Sequence, residues 1–129
     1  MRWFKSISLG EWGERYAAKA LKKKGYRILS RNFRTSAGEI DLIASFRREL
    51  VFVEVKTRRS LEWGEPFEAV NLSKQKQILK ISLQYIQLKK PNYTDIRFDI
   101  ISIFSEPDKE PRINHIENAF DASCSAHFF

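Results

Sequence analysis

The stretch GEIDLIASFRRELVFVEVK, residues 38–56, constrains the fold more than any other part of the chain. Its β-branched and aromatic content predicts two strands, yet Asp41, Glu54 and Lys56 stand inside them. Alternation puts Glu39, Asp41 and Ile43 on one face of the first strand, and Leu50, Phe52, Glu54 and Lys56 on one face of the second. The opposite faces, Ile40/Leu42/Ala44 and Val51/Val53/Val55, are wholly apolar and call for a helix to cover them. A two-residue turn at Arg47-Arg48 and a four-residue loop over 46–49 give the same register, with Asp41 opposite Glu54 and Glu39 opposite Lys56. A three-residue loop would slip that register by one. Arg-Arg suits a type I′ turn poorly, so the four-residue loop is expected.

Directly opposed residues have Cβ atoms about 4.5–5.5 Å apart, and like charges there destabilise the pair. Two remedies exist: the acids share a proton, with one pKa raised, or a divalent cation takes both as ligands. Hard cations such as Mg²⁺ choose oxygen ligands, keep waters and often complete their shell with substrate phosphate. The ordinary alternative is a solvent-facing sheet surface with a Glu39–Lys56 ion pair. It suits a lone E-x-K better than three charges on one face.

Size and charge agree with a polyanion-handling domain. A chain of 129 residues, 43% hydrophobic, builds one domain over 1–129 and not two. No apolar run approaches the roughly 18 residues of a membrane span, and MRWFKSISLG has no signal-peptide core. The expectation is a cytoplasmic protein with no membrane association. The single cysteine, Cys124, excludes an internal disulfide and has no zinc-type spacing around it. Residues 1–90 carry 20 Lys/Arg against 9 Asp/Glu, whereas residues 91–129 carry 3 against 7. A basic body of this kind favours nucleic acid as partner, against the plain alternative of solvated helix faces.

Periodicity fills in the remaining elements. Leu9, Trp12, Tyr16, Ala20 and Leu21 fall at helical spacing, and Gly25 after three lysines stops a helix over 9–24. Strands follow at 26–34, 39–46 and 49–58, then a long loop over 59–72 with Gly64 and Pro66. A second helix spans 73–89, with Ile78, Ile81, Tyr85 and Leu88 inward, and ends before Pro91. A strand over 94–104 and a short one over 112–117 complete the order αβββαββ, an α/β domain with a mixed sheet.

Asp41, twelve residues, then Glu54-Val55-Lys56 resembles the core of the PD-(D/E)XK nuclease superfamily, with Ile40 where that pattern has proline. Gly13-Glu14, Gly25-Tyr26, Arg31-Asn32, GEIDLIA, VFVEVKTR, Arg97-Phe98-Asp99 and HIENAF, in this order, resemble the YraN family. That family is regarded as predicted endonucleases related to archaeal Holliday junction resolvases. The resemblance implies a restriction-endonuclease-like three-layer α/β/α fold and hydrolysis of DNA phosphodiesters at branched structures. It implies Mg²⁺ or Mn²⁺ held by Asp41 and Glu54, with the Val55 carbonyl as an extra ligand. Lys56 would orient the attacking water and offset charge on the phosphate. Glu14 borders the apolar face of the first helix and would add a fourth group, an acid, to the site; the alternative is an exposed acid favourable to the helix dipole.

Phosphate contacts are expected from Lys22, Lys23, Lys24, Arg27, Arg31 and Arg34, and from Arg58 and Arg59 at the mouth of the long loop. Trp63 in that loop would stack on an unpaired base or anchor the loop by packing. Lys74 would reach phosphate or snorkel at the start of the second helix. A two-fold homodimer would set two sites on a four-way junction, although no dimer face is defined. Rival readings are a non-catalytic nucleic-acid-binding module and an adaptor that docks through the acidic last 39 residues.

Overall fold

Both faces of one sheet are apolar, and each needs its own helix. The computed structural model describes residues 7–59 and 70–121. Their order is α1 (Leu9–Lys23), β1 (Arg27–Thr35), β2 (Gly38–Phe46), β3 (Glu49–Arg58), α2 (Leu72–Lys89), β4 (Asp95–Phe104) and β5 (Arg112–Phe120). The five strands lie in sequence order, antiparallel except for the parallel β3–β4 pair that the α2 crossover joins. With α1 on one face and α2 on the other, this is the three-layer α/β/α arrangement in the expected order αβββαββ. Among the described residues, no helix is long and apolar enough to cross a membrane.

The α1 core joins Leu42, Ala44, Val51 and Val53 to Ala17, Ala18 and Leu21 of the helix. The α2 core joins Ile43, Leu50 and Phe52 to Ile78, Leu79, Ile81 and Tyr85. Ile40 packs in the α2 core with Ile43, so the expected face Ile40/Leu42/Ala44 is split between the two layers. Strict alternation therefore breaks between Ile40 and Leu42, and Asp41 sits at the break.

The β2–β3 ladder keeps the expected register from Phe46↔Glu49 to Leu42↔Val53. Its turn differs from expectation. Phe46 and Glu49 are paired, and Arg47 and Arg48 both have positive φ, 50° and 67°, as in a two-residue type I′ turn. Left-handed backbone costs a non-glycine residue about 1–2 kcal/mol. Local bonds offset that cost: the Arg47 guanidinium lies 4.8 Å over the Phe46 ring, and the Arg48 carbonyl accepts the Thr94 N–H at 2.8 Å. The right-handed twist of the strands also favours this turn over the longer loop.

Helix ends follow local chemistry. Ser8 caps α1 by accepting the Glu11 N–H, and Gly25, at φ 96°, ends it while the Tyr26 N–H returns to the Leu21 carbonyl. Asn71 caps α2 by accepting the Lys74 N–H at 2.9 Å, which starts the helix at Leu72. Leu88, expected inward, is 68% exposed, because the buried stripe of α2 ends at Tyr85. The buried face of α1 also differs from expectation. Gly13, Ala17, Ala18 and Leu21 face the sheet, and Trp12 and Tyr16 fall to its margin. Gly13 makes that close approach feasible, since a Cβ there would lie 1.8 Å from the Thr57 hydroxyl of β3.

A second polar group ties the far strands together. Asp99, 1% exposed, accepts from Arg97 at 2.9 and 2.8 Å, from the Asn118 N–H at 2.9 Å, and meets His115 Nε2 at 2.7 Å. Burial would raise the Asp99 pKa, but these bonds from His115, Arg97 and Asn118 overrule it and hold the carboxyl below its ordinary range. Arg97 also donates to the Tyr26 hydroxyl and to Glu49. The bond to the Asn118 N–H accompanies a bulge, after which the ladder resumes at Phe98↔Phe120, so β5 outlasts the short strand expected over 112–117.

Two substitutions test this packing. Gly13→Ala should cost about 1–3 kcal/mol in urea unfolding, and adding Thr57→Ala should recover part of it. Asp99→Asn leaves Arg97 buried without its main counter-charge and should cost roughly 3 kcal/mol or more in the same assay.

Candidate active site

Where the β2–β3 ladder stops, its donors turn to side chains. Asp41 Oδ2 accepts the Val55 N–H at 2.8 Å, so the amide next to Glu54 is held by a carboxylate of the neighbouring strand. Asp41 and Glu54 are not ladder partners, yet the Glu54 charge is the strongest electrostatic influence on Asp41. Burial first, then Glu54, Glu14 and Glu39, push the Asp41 pKa up to about 8 against the pull of the Val55 N–H.

Carboxylate oxygens of Glu14, Glu39 and Asp41 all lie within 4.8 Å of one another. Glu14 arrives from α1 through the close approach at Gly13, and it hydrogen-bonds the Asn32 and Asp41 side chains. Its pKa is also raised, by burial foremost, with the two hydrogen bonds opposing. Glu39 lies across β1 from Arg34, with Arg34 Nε donating to it at 2.7 Å. The expected Glu39–Lys56 pair is thus replaced by one to Arg34, because the ladder that would align Glu39 with Lys56 has already ended.

Glu54, 7% exposed, turns instead to cations. Its Oε1 is 3.3 Å from Lys56 Nζ and 3.8 Å from Lys74 Nζ. Lys74 therefore reaches the Glu54 carboxylate from the first turn of α2, where the capped helix end adds positive potential. The arrangement is a row of acids at the opened ladder, flanked by two lysines on the α2 side.

An all-oxygen donor set of this spacing suits a hard divalent cation. Glu14, Glu39 and Asp41 supply the converging oxygens, and burial first, with the neighbouring acids adding to it, raises the pKa of Glu14 and of Asp41. Val55 presents its amide to Asp41, which fixes the backbone beside Glu54.

The other expected contact residues spread around α1 and the sheet edge. Lys22, Lys23, Arg27, Arg31 and Arg34 are exposed on α1 and β1. Lys24, also exposed, lies 2.9 Å from His115 Nδ1. Arg58 ends β3 and Arg59 is exposed beyond it, while Trp63 lies outside the described residues. Glu39 of the acid cluster and Asn32 beside it are not marked as site residues by the sequence pattern. Glu39 was assigned to the lysine pair, and Asn32 was read only as part of a motif. The sequence signal for the latter is an Asn inside the strand-like run RILSRNFRT, since Asn is depleted in strands; in the structure it takes a left-handed φ of 52°.

Burial of Asp41, reinforced by the neighbouring acids, sets a pH dependence. The folded pKa of Asp41, about 8, exceeds its ordinary value of 3.8, so the folded chain holds this proton more tightly than the unfolded one. That stabilisation is complete below 3.8 and is lost as pH rises through about 8. The thermal midpoint measured in EDTA should fall across this window, and Asp41→Asn should flatten the fall.

Comparison with known proteins places the chain in a family. The model of uncharacterised protein family UPF0102 matches residues 13–103. A UPF0102 protein of Caldanaerobacter subterraneus subsp. tengcongensis is 48% identical, covering 88% of this chain and 94% of its own. Another from Syntrophotalea carbinolica is 43% identical, covering 92% and 95%. These names meet the YraN resemblance at the level of a family and state no nuclease relation. Among solved structures, Pyrococcus furiosus SfsA in complex with Ca²⁺ aligns at a TM-score of 0.41 and 16% identity, covering 84% of this chain and 62% of that one. The structure of SSO0001 aligns at 0.36 and 20%, covering 93% and 55%. Scores this low carry nothing toward function. Sequence identity across nearly the full length of these relatives, with the family model spanning Gly13 to Ile103, shows that the chain belongs to the uncharacterised protein family UPF0102.

Proposed function

We propose that the protein is a metal-dependent endonuclease that hydrolyses DNA phosphodiesters, with branched DNA as its substrate. The observation that carries this reading is the convergence of Glu14, Glu39 and Asp41 oxygens within 4.8 Å, beside a buried Glu54 flanked by Lys56 and Lys74. Mg²⁺ or Mn²⁺ bound there would polarise a phosphoryl oxygen and make a water more acidic.

The remaining tasks fall to the chain. Lys56, held by Glu54, would orient the attacking water and offset negative charge that builds on the phosphate. Lys74 and the amino end of α2 would hold the neighbouring phosphate oxygens. Asp41 keeps the Val55 amide, and with it the Glu54 carboxylate, in place. Hydrolysis of this kind needs no nucleophilic side chain. The exposed cations on α1 and β1 support a nucleic-acid substrate, and the junction-resolvase resemblance supports its being branched DNA.

The test is cleavage of labelled four-way junction, flap, single-stranded and duplex DNA in Mg²⁺, Mn²⁺ or EDTA. Cleavage should require metal and prefer the branched substrates. Asp41→Asn, Glu54→Gln and Lys56→Ala should each lower the rate by roughly a hundredfold or more. Binding without cleavage in any metal would point to a non-catalytic nucleic-acid module, and neither activity would point to the adaptor. Mg²⁺ or Mn²⁺ should also raise the thermal midpoint of the parent chain and not of Asp41→Asn.

A further inference from the structure

A groove of about 430 Å³ runs between α1 and β1, lined by Trp12, Arg15, Tyr16, Lys19, Lys22 and Arg31. It exists because Gly13, Ala17 and Ala18, not Trp12 and Tyr16, face the sheet. The two aromatic rings, one helical turn apart, stack at a centroid distance of 5.2 Å and an angle of 30°. Both are only partly buried, so they retain ring surface at the groove.

The cations are arranged around that aromatic floor. Arg15, Lys19 and Lys22 follow one another at a spacing of about one helical turn, near 5.4 Å along the axis. Arg31 faces them from β1. Among the described residues, the acid paired with these cations is Glu11, which meets Arg15 at 3.1 Å with both side chains about half exposed, a pair worth little and easily exchanged for a phosphate. Four cations around two stacked rings complement a strand of unpaired nucleotides, which carries a negative charge at each phosphate and offers bases that stack. A blunt duplex offers the charges but keeps its bases stacked on one another.

The groove also abuts the candidate active site. Arg31 of the groove pairs across the ladder with Leu42, the neighbour of Asp41, and Arg34 of the same strand pairs with Glu39, so β1 runs from the groove to the acid cluster. We infer that the α1–β1 groove binds an unpaired nucleic-acid strand leading to the acid cluster, with a base on Trp12–Tyr16 and phosphates on Arg15, Lys19, Lys22 and Arg31. This rests on the polynucleotide reading of the site and assigns the unpaired arm of the substrate to a named surface.

Binding in EDTA tests it without any need for cleavage. Fluorescence anisotropy would compare a duplex carrying a single-stranded tail with the same duplex blunt. Trp12→Ala should weaken tailed DNA on the order of tenfold and leave the blunt duplex unchanged. Lys19→Ala with Lys22→Ala, both exposed, should weaken tailed DNA selectively and reduce its log–log salt slope by roughly 1.4, about 0.7 per cation. Equal losses on both DNAs, or no loss in the lysine variant, would overturn the assignment. If Trp12→Ala fails to fold, the lysine variant decides alone. Cleavage without tail-dependent binding would retain the nuclease reading and remove the groove; tail-dependent binding without cleavage would do the reverse.

Discussion

Asp41 holds the Val55 amide at the point where β2 and β3 cease to pair, and most of the site's geometry depends on that bond. A backbone carbonyl in the same place would have continued the ladder and set Asp41 directly against Glu54. With the carboxylate as acceptor the strands part, and the two acids turn to different neighbours. Asp41 joins Glu14 and Glu39 on one side, and Glu54 takes Lys56 and Lys74 on the other. The neutralising cations and the crowded acids thereby share a site without cancelling completely.

The two helices reach this point by different means. Small residues bring α1 close enough to β3 for Glu14 to enter the cluster, with Gly13 against Thr57 as the closest approach. A capped first turn brings α2 in with Lys74. Away from the site, the buried Arg97–Asp99–His115 group secures β4 to β5, and Tyr26 and Glu49 join it to the near strands. Protonation acts at both places with opposite sign: the fold favours Asp41 protonated and Asp99 ionised.

Element order and the β2–β3 register were legible in the sequence because both rest on hydrophobic period and turn length. The turn itself was not, since a pair of arginines gives no sign of the Phe46 ring and Thr94 donors that offset its left-handed backbone. Periodicity also located α1 while misplacing its face: large apolar residues marked Trp12 and Tyr16 as inward, but close packing on β3 favoured Gly13, Ala17 and Ala18. In the site, Asp41, Glu54 and Lys56 stood out as charges in apolar strands. Glu39 did not, because its position was read through a ladder that ends before reaching it. The contact between Glu14 and Asn32 joins a helix to a strand, and no local spacing encodes it.

The bulged first strand has a consequence for self-association. β1 is an edge of the sheet, and exposed edges invite strand addition by a second chain. A shift in register between Ile28 and Ser30 interrupts its flatness, and Arg27, Arg31 and Arg34 project from it exposed. Two such edges would meet with matching charge and broken hydrogen-bond spacing. The bulge and the exposed arginines thus work against edge-to-edge aggregation at this border.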